Sequence, residues 1–295
     1  MRAFVTGGSG FLGKGATQAL AEAGWQARCM VRGHGEKFIY ECGYSEKFVV
    51  FESSVGRLAQ GIGGCDVVFN LAGIIREFPG KGITFQKAHI DLTRNLIEAC
   101  KTAGVKRYLH MSALGVDSGL NIGYNTSKLE AEKIVRESGL DWTIFRPSLI
   151  FGPGDRFAVE FAGWMKKGLP IPVIGKGDYR LMPLSRTDLC RGMVKQISAK
   201  ASINKTYNIG GSDKLSYIEI LKTIEQAAGR KMRRVKIPAG LIMLGAKLMG
   251  RFAWFPTSDD MIKQLLEESV TDEDDFWKET GIIPEKLEDA IGEYV

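Results

Sequence analysis

The octapeptide Thr6-Gly7-Gly8-Ser9-Gly10-Phe11-Leu12-Gly13 decides how this chain is read. It lies directly between an apolar run at residues 3–6, composed like a strand, and a helix-period segment at 11–23. In a strand–turn–helix setting the three glycines of the GxxGxxG pattern each have a physical task. Gly7 permits the tight turn, Gly10 removes the side chain that would hold a diphosphate away from the main chain, and Gly13 lets helix and strand pack closely. The unpaired amides and positive end of the helix then face an anion. A glycine pattern alone is weak, but in this setting it predicts a dinucleotide site built from Gly7, Gly8, Ser9, Gly10, Phe11, Leu12 and Gly13.

Outward from the turn, short β-branched or aromatic runs alternate with helix-period segments to about residue 150. Strands are expected at 3–6, 27–31, 48–52, 67–72, 107–112 and 142–146, and helices at 11–23, 84–103 and 124–138. The near-continuous hydrophobicity of the strands fits a sheet covered on both faces. Gly104 and Gly139 are placed as helix stops. After Pro147 the chain becomes punctuated by glycine and proline, as in Gly152-Pro153-Gly154, Gly168, Pro170, Pro172, Gly175 and Gly177. The expected fold is α/β. A Rossmann-type doubly wound parallel sheet occupies residues 1–150, and a smaller mixed α+β substrate or partner domain occupies 151–295, parts of which can return to the Rossmann sheet. Strands at 207–209 and 233–237, a helix at 217–228 and further C-terminal helices are expected in the second part.

With 44% hydrophobic and 25% charged residues among 295, the chain is not of the disordered class. Its most apolar stretch, 238–250, is interrupted by Lys247 and falls short of the ~20 residues that cross a bilayer. No export signal opens the sequence, so a cytoplasmic protein beginning at about residue 1 is expected. Cys29, Cys42, Cys65, Cys100 and Cys190 are odd in number and form no CxxC pair. They are read as reduced core residues, with neither disulfide nor metal. Forty basic and 34 acidic side chains leave a net charge of +6, with one tight cluster at 231–236. A solvated edge strand accounts for that cluster better than a contact with phosphate or lipid headgroups, and no nucleic-acid partner is expected.

Two further places carry chemistry. An acid at the end of the second strand would accept hydrogen bonds from a ribose 2′-hydroxyl, whereas a cation accommodates a 2′-phosphate. Arg32 stands there, with Lys37 in the following loop, which favours NADP over NAD; Glu36 is the contrary indication. The second place is Tyr124-Asn125-Thr126-Ser127-Lys128, opening the helix after the fifth strand. Residues four apart share a helix face at ~5–6 Å between Cβ atoms. An ammonium at that distance stabilises a phenolate and lowers a phenol pKa that is ordinarily ~10.

With glycine turn, strand order and tyrosine–lysine pair in sequence, the chain resembles the short-chain dehydrogenase/reductase superfamily in its extended, epimerase/dehydratase-like form. More narrowly it resembles the atypical branch typified by the nucleotide-binding accessory subunit of respiratory complex I. Asn70-Leu71-Ala72-Gly73, Arg146-Pro147-Ser148, Gly152-Pro153-Gly154-Asp155, Pro183 and Asp188 extend the likeness over nearly the whole chain. The resemblance implies a nicotinamide across the carboxyl ends of the strands, with Asn70, Leu71, Ala72, Gly73 and Pro147 at the nucleotide. It also implies that Lys128 binds the nicotinamide ribose while Tyr124 passes a proton to or from a substrate oxygen as hydride moves. The third catalytic member falls on Ser112, or its place is taken by Ala113, and His89 replaces the usual asparagine. The activity implied is that of an NAD(P)-dependent oxidoreductase or epimerase/dehydratase acting on a hydroxyl or carbonyl compound. The alternative is a non-catalytic scaffold, assembly or redox-sensing protein.

The second half leaves the substrate open. Residues 238–250 with Phe252, Trp254 and Phe255 form an apolar, methionine-containing surface, read first as packed on the nucleotide domain and second as a lipid, quinone or partner site. Nucleotide sugars are a further substrate class; Arg180 and Arg186 are read equally as contacts to their phosphates and as partners in surface ion pairs. A homo-oligomer is compatible with all of these.

Overall fold

The computed structural model describes residues 1–31, 45–49, 52–155, 157–249 and 259–295. Strand β1 (Arg2–Thr6) enters the glycine turn, which delivers the chain into α1 (Phe11–Glu22). The pattern repeats through β2 (Gln26–Val31), β3 (Ser45–Val49), α2 (Val55–Ile62), β4 (Val67–Asn70), α3 (Leu92–Ala103), β5 (Arg107–Met111), α4 (Gly123–Arg136) and β6 (Asp141–Pro147). The six strands pair in parallel in the order 6-5-4-1-2-3. A seventh, Lys205–Ile209, joins β6 with Lys205 opposite Thr143 and Ile209 opposite Pro147. The order reverses beside β1, the position where such sheets bind ligands at the carboxyl ends of their strands.

Side-chain alternation divides the core. From β1, Ala3 and Val5 face one side, while Phe4 faces the other. The first side is covered by α1 and α6 (Arg186–Gln196), through Ala16, Leu20, Leu189 and Met193. The second is covered by α2, α3 and α4, through Leu58, Ile62, Leu96 and Val135. Fully enclosed leucines such as Leu20 and Leu96 each contribute ~1.5–3 kcal/mol relative to exposure.

Several elements differ from expectation. The third strand is described at Ser45–Val49, whereas 48–52 was expected; residues 50 and 51 lie outside the described set. Helix α2 was not anticipated. The expected helix 84–103 begins with a wide π-helical turn, Gln86–Asp91, before α3 proper. Such turns insert a residue and re-aim neighbouring side chains, and here the turn carries His89 inward. The strand expected at 207–209 lies on the main sheet, and Phe276 of helix Asp275–Thr280 packs on Phe145 and Tyr207 there.

The remainder is built from α5 (Ala158–Lys166), α7 (Tyr217–Ala227), α8 (Ala239–Met249), α9 (Asp259–Leu266) and three two-stranded ladders. Tyr179, Leu181, Tyr217, Ile220 and Ile224 form its core with α5. No helix of the described residues is long and apolar enough to cross a membrane.

Candidate dinucleotide site

Gly7 has φ +70°, and a Cβ there would stand 3.0 Å from the amide nitrogen of Ala72, so the turn lies hard against the loop after β4. At Gly13 a Cβ would stand 2.1 Å from the Gly7 carbonyl oxygen, closer than atoms approach. The Gly10 amide donates to the Gly7 carbonyl at 2.9 Å. Gly10 also caps α1 with extended backbone and no side chain, leaving the first-turn amides for an external acceptor.

Above this turn lies a cleft of about 810 Å³. Gly7, Ser9, Gly10, Phe11, Leu12 and Gly13 line it from the turn, and Leu71, Ala72 and Gly73 line it from the loop after β4. The glycine cradle, uncapped helix and cleft fit a dinucleotide diphosphate. Gly8 is placed differently: a Cβ on it would meet Cys29 of β2.

Asn70 is also turned elsewhere. It is 2% exposed, and its Oδ1 accepts from Thr6 Oγ1 at 2.8 Å while its Nδ2 donates to Thr93 Oγ1 at 3.1 Å. It therefore ties β1, β4 and α3 together behind the cleft. Thr6 Oγ1 in turn accepts the Ala72 amide at 3.2 Å, setting the height of the cleft-lining loop. Pro147 ends β6 as a buried residue paired with Ile209, its carbonyl accepting the Leu114 amide at 2.9 Å.

Tyr124 and Lys128 occupy successive turns of α4. Lys128 is buried and donates to the Met111 carbonyl at 2.9 Å. Burial pushes its ammonium down to about 8, against the opposing pull of Glu132. Tyr124 is half-buried, and burial pushes its phenol up to about 12. Its ring stands edge-on to Phe85 and His89 at 5.9 and 5.7 Å between centroids.

One turn beyond Lys128, the fully buried Glu132 receives Arg146 Nε and Nη2, both at 2.8 Å, and Arg136 at 2.6 Å. Burial draws its carboxyl upward, but these donors outweigh burial and hold it below the usual range. Ser112 Oγ is buried beside Glu132 without meeting hydrogen-bond geometry, and it does not pair with Tyr124.

The α4 N-terminus is supported from the far end of the chain. The Gly123 amide, next to Tyr124, donates to Asp260 Oδ2 of α9 at 3.0 Å. Arg32 and Lys37 lie outside the described residues. Arg186 sits 4.9 Å over the Phe11 ring and donates to the Pro153 carbonyl at 2.9 Å, which binds the Gly152-Pro153 turn to α1. Asp155 accepts the Phe157 and Ala158 amides at 2.9 and 2.6 Å and so starts α5. Lys81, Thr84 and Lys87 also line the cleft. Sequence reading missed them, because no local pattern shows a loop folding back over a distant turn.

The sheet order, the glycine cradle and the cleft define a Rossmann-type protein of the nucleotide-binding class. More particularly, the chain belongs to the NAD dependent epimerase/dehydratase family, which it matches over residues 3–210. It is 22% identical over 308 residues to the mitochondrial NADH-ubiquinone oxidoreductase 40 kDa subunit of Neurospora crassa, covering 99% of this chain and 78% of that protein. It is 26% identical over 282 residues to a photosystem II assembly factor of Trieres chinensis, covering 95% and 85% respectively. Among solved structures, UDP-glucose 4-epimerase of Thermotoga maritima superposes with a TM-score of 0.79 at 19% identity, over 99% of this chain and 96% of that one. The likeness to the NADH-ubiquinone oxidoreductase subunit is thus one of sequence, and the likeness to the epimerase one of fold.

Proposed function

We propose that this chain holds NADP or NAD in the cleft above the β1–α1 turn and serves as a cofactor-bound structural or assembly protein without turning the dinucleotide over. The observation that carries this reading is the state of Ser112. Its hydroxyl is buried beside Glu132, unpaired with Tyr124, while the cradle for the diphosphate is intact. No hydrogen bond joins Ser112 Oγ to Tyr124 among the described residues, so the two do not form a proton relay as they stand. In this reading Tyr124 and Lys128 hold the nicotinamide ribose. Arg32 and Lys37 favour NADP. The two sequence relatives, an NADH-ubiquinone oxidoreductase subunit and a photosystem II assembly factor, support a protein partner.

A second reading is favoured by one observation: Tyr124 and Lys128 stand one helical turn apart, and Lys128 Nζ lies 3.4 Å from where a Gly73 Cβ would be, at the cleft wall. In that reading the chain is an oxidoreductase or epimerase/dehydratase with Tyr124 as proton donor. One comparison separates the two. Purified wild type and Tyr124→Phe are titrated calorimetrically with NADPH and NADH, then assayed for turnover on carbonyl compounds and nucleotide sugars. The scaffold reading expects tight binding and no turnover that depends on Tyr124. Turnover in wild type that collapses in Tyr124→Phe with binding spared would establish the enzyme instead.

A further inference from the structure

The net charge of +6 is concentrated in one segment. Residues 226–249 carry six cations, Arg230, Lys231, Arg233, Arg234, Lys236 and Lys247, and no carboxylate, so the rest of the chain is neutral. The fold gathers this segment into a ledge. Among the described residues strand Arg234–Ile237 pairs only with Ile171–Ile174, and Lys231, Arg233, Val235 and Lys236 are exposed along it. Among the described residues Arg234 alone of these turns to an acid, Glu225.

After Pro238 the chain enters α8. Ala239, Ile242 and Met243 pack inward with Ile174 and Ile262, while Leu241 and Leu244 are 64% and 56% exposed. Residues three apart share a helix face, so the two leucines form one outward ridge. A helix apolar on both faces is ordinarily enclosed, and this one has protein against its inner face alone among the described residues.

We propose that the ledge docks this protein on an anionic lipid bilayer. Leu241 and Leu244 enter the boundary between headgroups and acyl chains, and Lys231, Arg233 and Lys236 meet the lipid phosphates and carboxylates. At 11 residues, α8 is too short to span a bilayer but long enough to lie in its surface. Cations beside an apolar ridge, with no carboxylate in the segment, match such a surface in both charge and polarity. A nucleic acid would use the cations and leave the leucines without a partner. The inference is independent of the dinucleotide reading.

The test is co-sedimentation of the full chain with vesicles of phosphatidylcholine alone and of phosphatidylcholine mixed with phosphatidylserine. Wild type is expected to pellet with mixed vesicles, at least tenfold more weakly with phosphatidylcholine alone, and less as salt is raised. Lys231→Gln/Arg233→Gln/Lys236→Gln should weaken binding on the order of a hundredfold. Leu241→Ser/Leu244→Ser should weaken it about tenfold or more. Circular dichroism and thermal unfolding confirm that each variant is folded. Wild type that ignores mixed vesicles, or a folded triple variant that binds as wild type does, overturns the proposal. So does a dimer that ignores vesicles and is dispersed by Leu241→Ser, which would make the ledge a surface for self-association. Dinucleotide titration of the same samples keeps failure of the cleft reading separate from failure of this one.

Discussion

His89 Nδ1 stands 2.8 Å from Ser127 Oγ, joining the cleft loop to the helix that bears Tyr124 and Lys128. Ser127 gives its own proton to the Tyr124 carbonyl at 2.8 Å, so it accepts from the histidine. His89 Nε2 is then the free acceptor, and it receives the Ile74 amide at 3.1 Å. The ring is neutral, with its proton on Nδ1. Burial first, and then Lys128 and His110, push its pKa down to about 3.

This arrangement sets a pH dependence. The unfolded imidazole titrates near 6.5 and the folded one near 3, so the unfolded state takes up a proton that the folded state refuses. The contribution is fully present above about 6.5 and is lost as the pH falls toward 3, on the order of 3 kcal/mol by pH 4. His89→Asn is expected to lose stability less steeply than wild type between pH 7 and 4 in urea titrations. Identical slopes would mean that His89 is not the neutral clamp described.

The glycines of the turn are expected to separate folding from binding. Gly13→Ala forces a methyl onto the Gly7 carbonyl and should cost about 1–3 kcal/mol of stability. Gly10→Ala meets only the Gly7 carbonyl, at 3.1 Å, and should fold within about 0.5 kcal/mol of wild type. Its methyl projects where a diphosphate would lie, so calorimetry should show dinucleotide affinity reduced at least tenfold. Unchanged affinity would place the diphosphate elsewhere.

Glu132→Gln leaves Arg146 buried with a weaker acceptor and is expected to destabilise the fold by about 3–5 kcal/mol, read from urea unfolding. The same change removes the charge that raises the Lys128 pKa. The lysine should then titrate lower, as followed by NMR of its labelled side chain.

Arg32→Ala is expected to weaken NADPH binding more than NADH binding in fluorescence titrations. Equal losses would assign the cofactor preference to other groups.

The cradle was legible because its information is local. Gly7, Gly10 and Gly13, a preceding strand and a following helix lie within one octapeptide and its flanks, and the Tyr124–Lys128 spacing is likewise a property of one helix. What escaped sequence reading is non-local. Asn70 sits in a motif associated with the nucleotide, yet its amide bridges Thr6 and Thr93, which lie 64 residues before it and 23 after it. Arg107 looks like an ordinary strand terminus, but it is buried and donates to the carbonyls of Ile197 and Gln196 and to Ser202. Strand Lys205–Ile209 shows its β-character in sequence, while its place on β6 depends on a chain reversal that no local pattern encodes.

The Asp260 carboxylate reaches across 137 positions to hold the first amide of the tyrosine's helix. A fragment ending before Asp260 would lack that acceptor and would loosen first at the start of α4, beside Tyr124. Because α9 packs on α8, the exposed leucine ridge and the first turn of α4 are joined through a single helix.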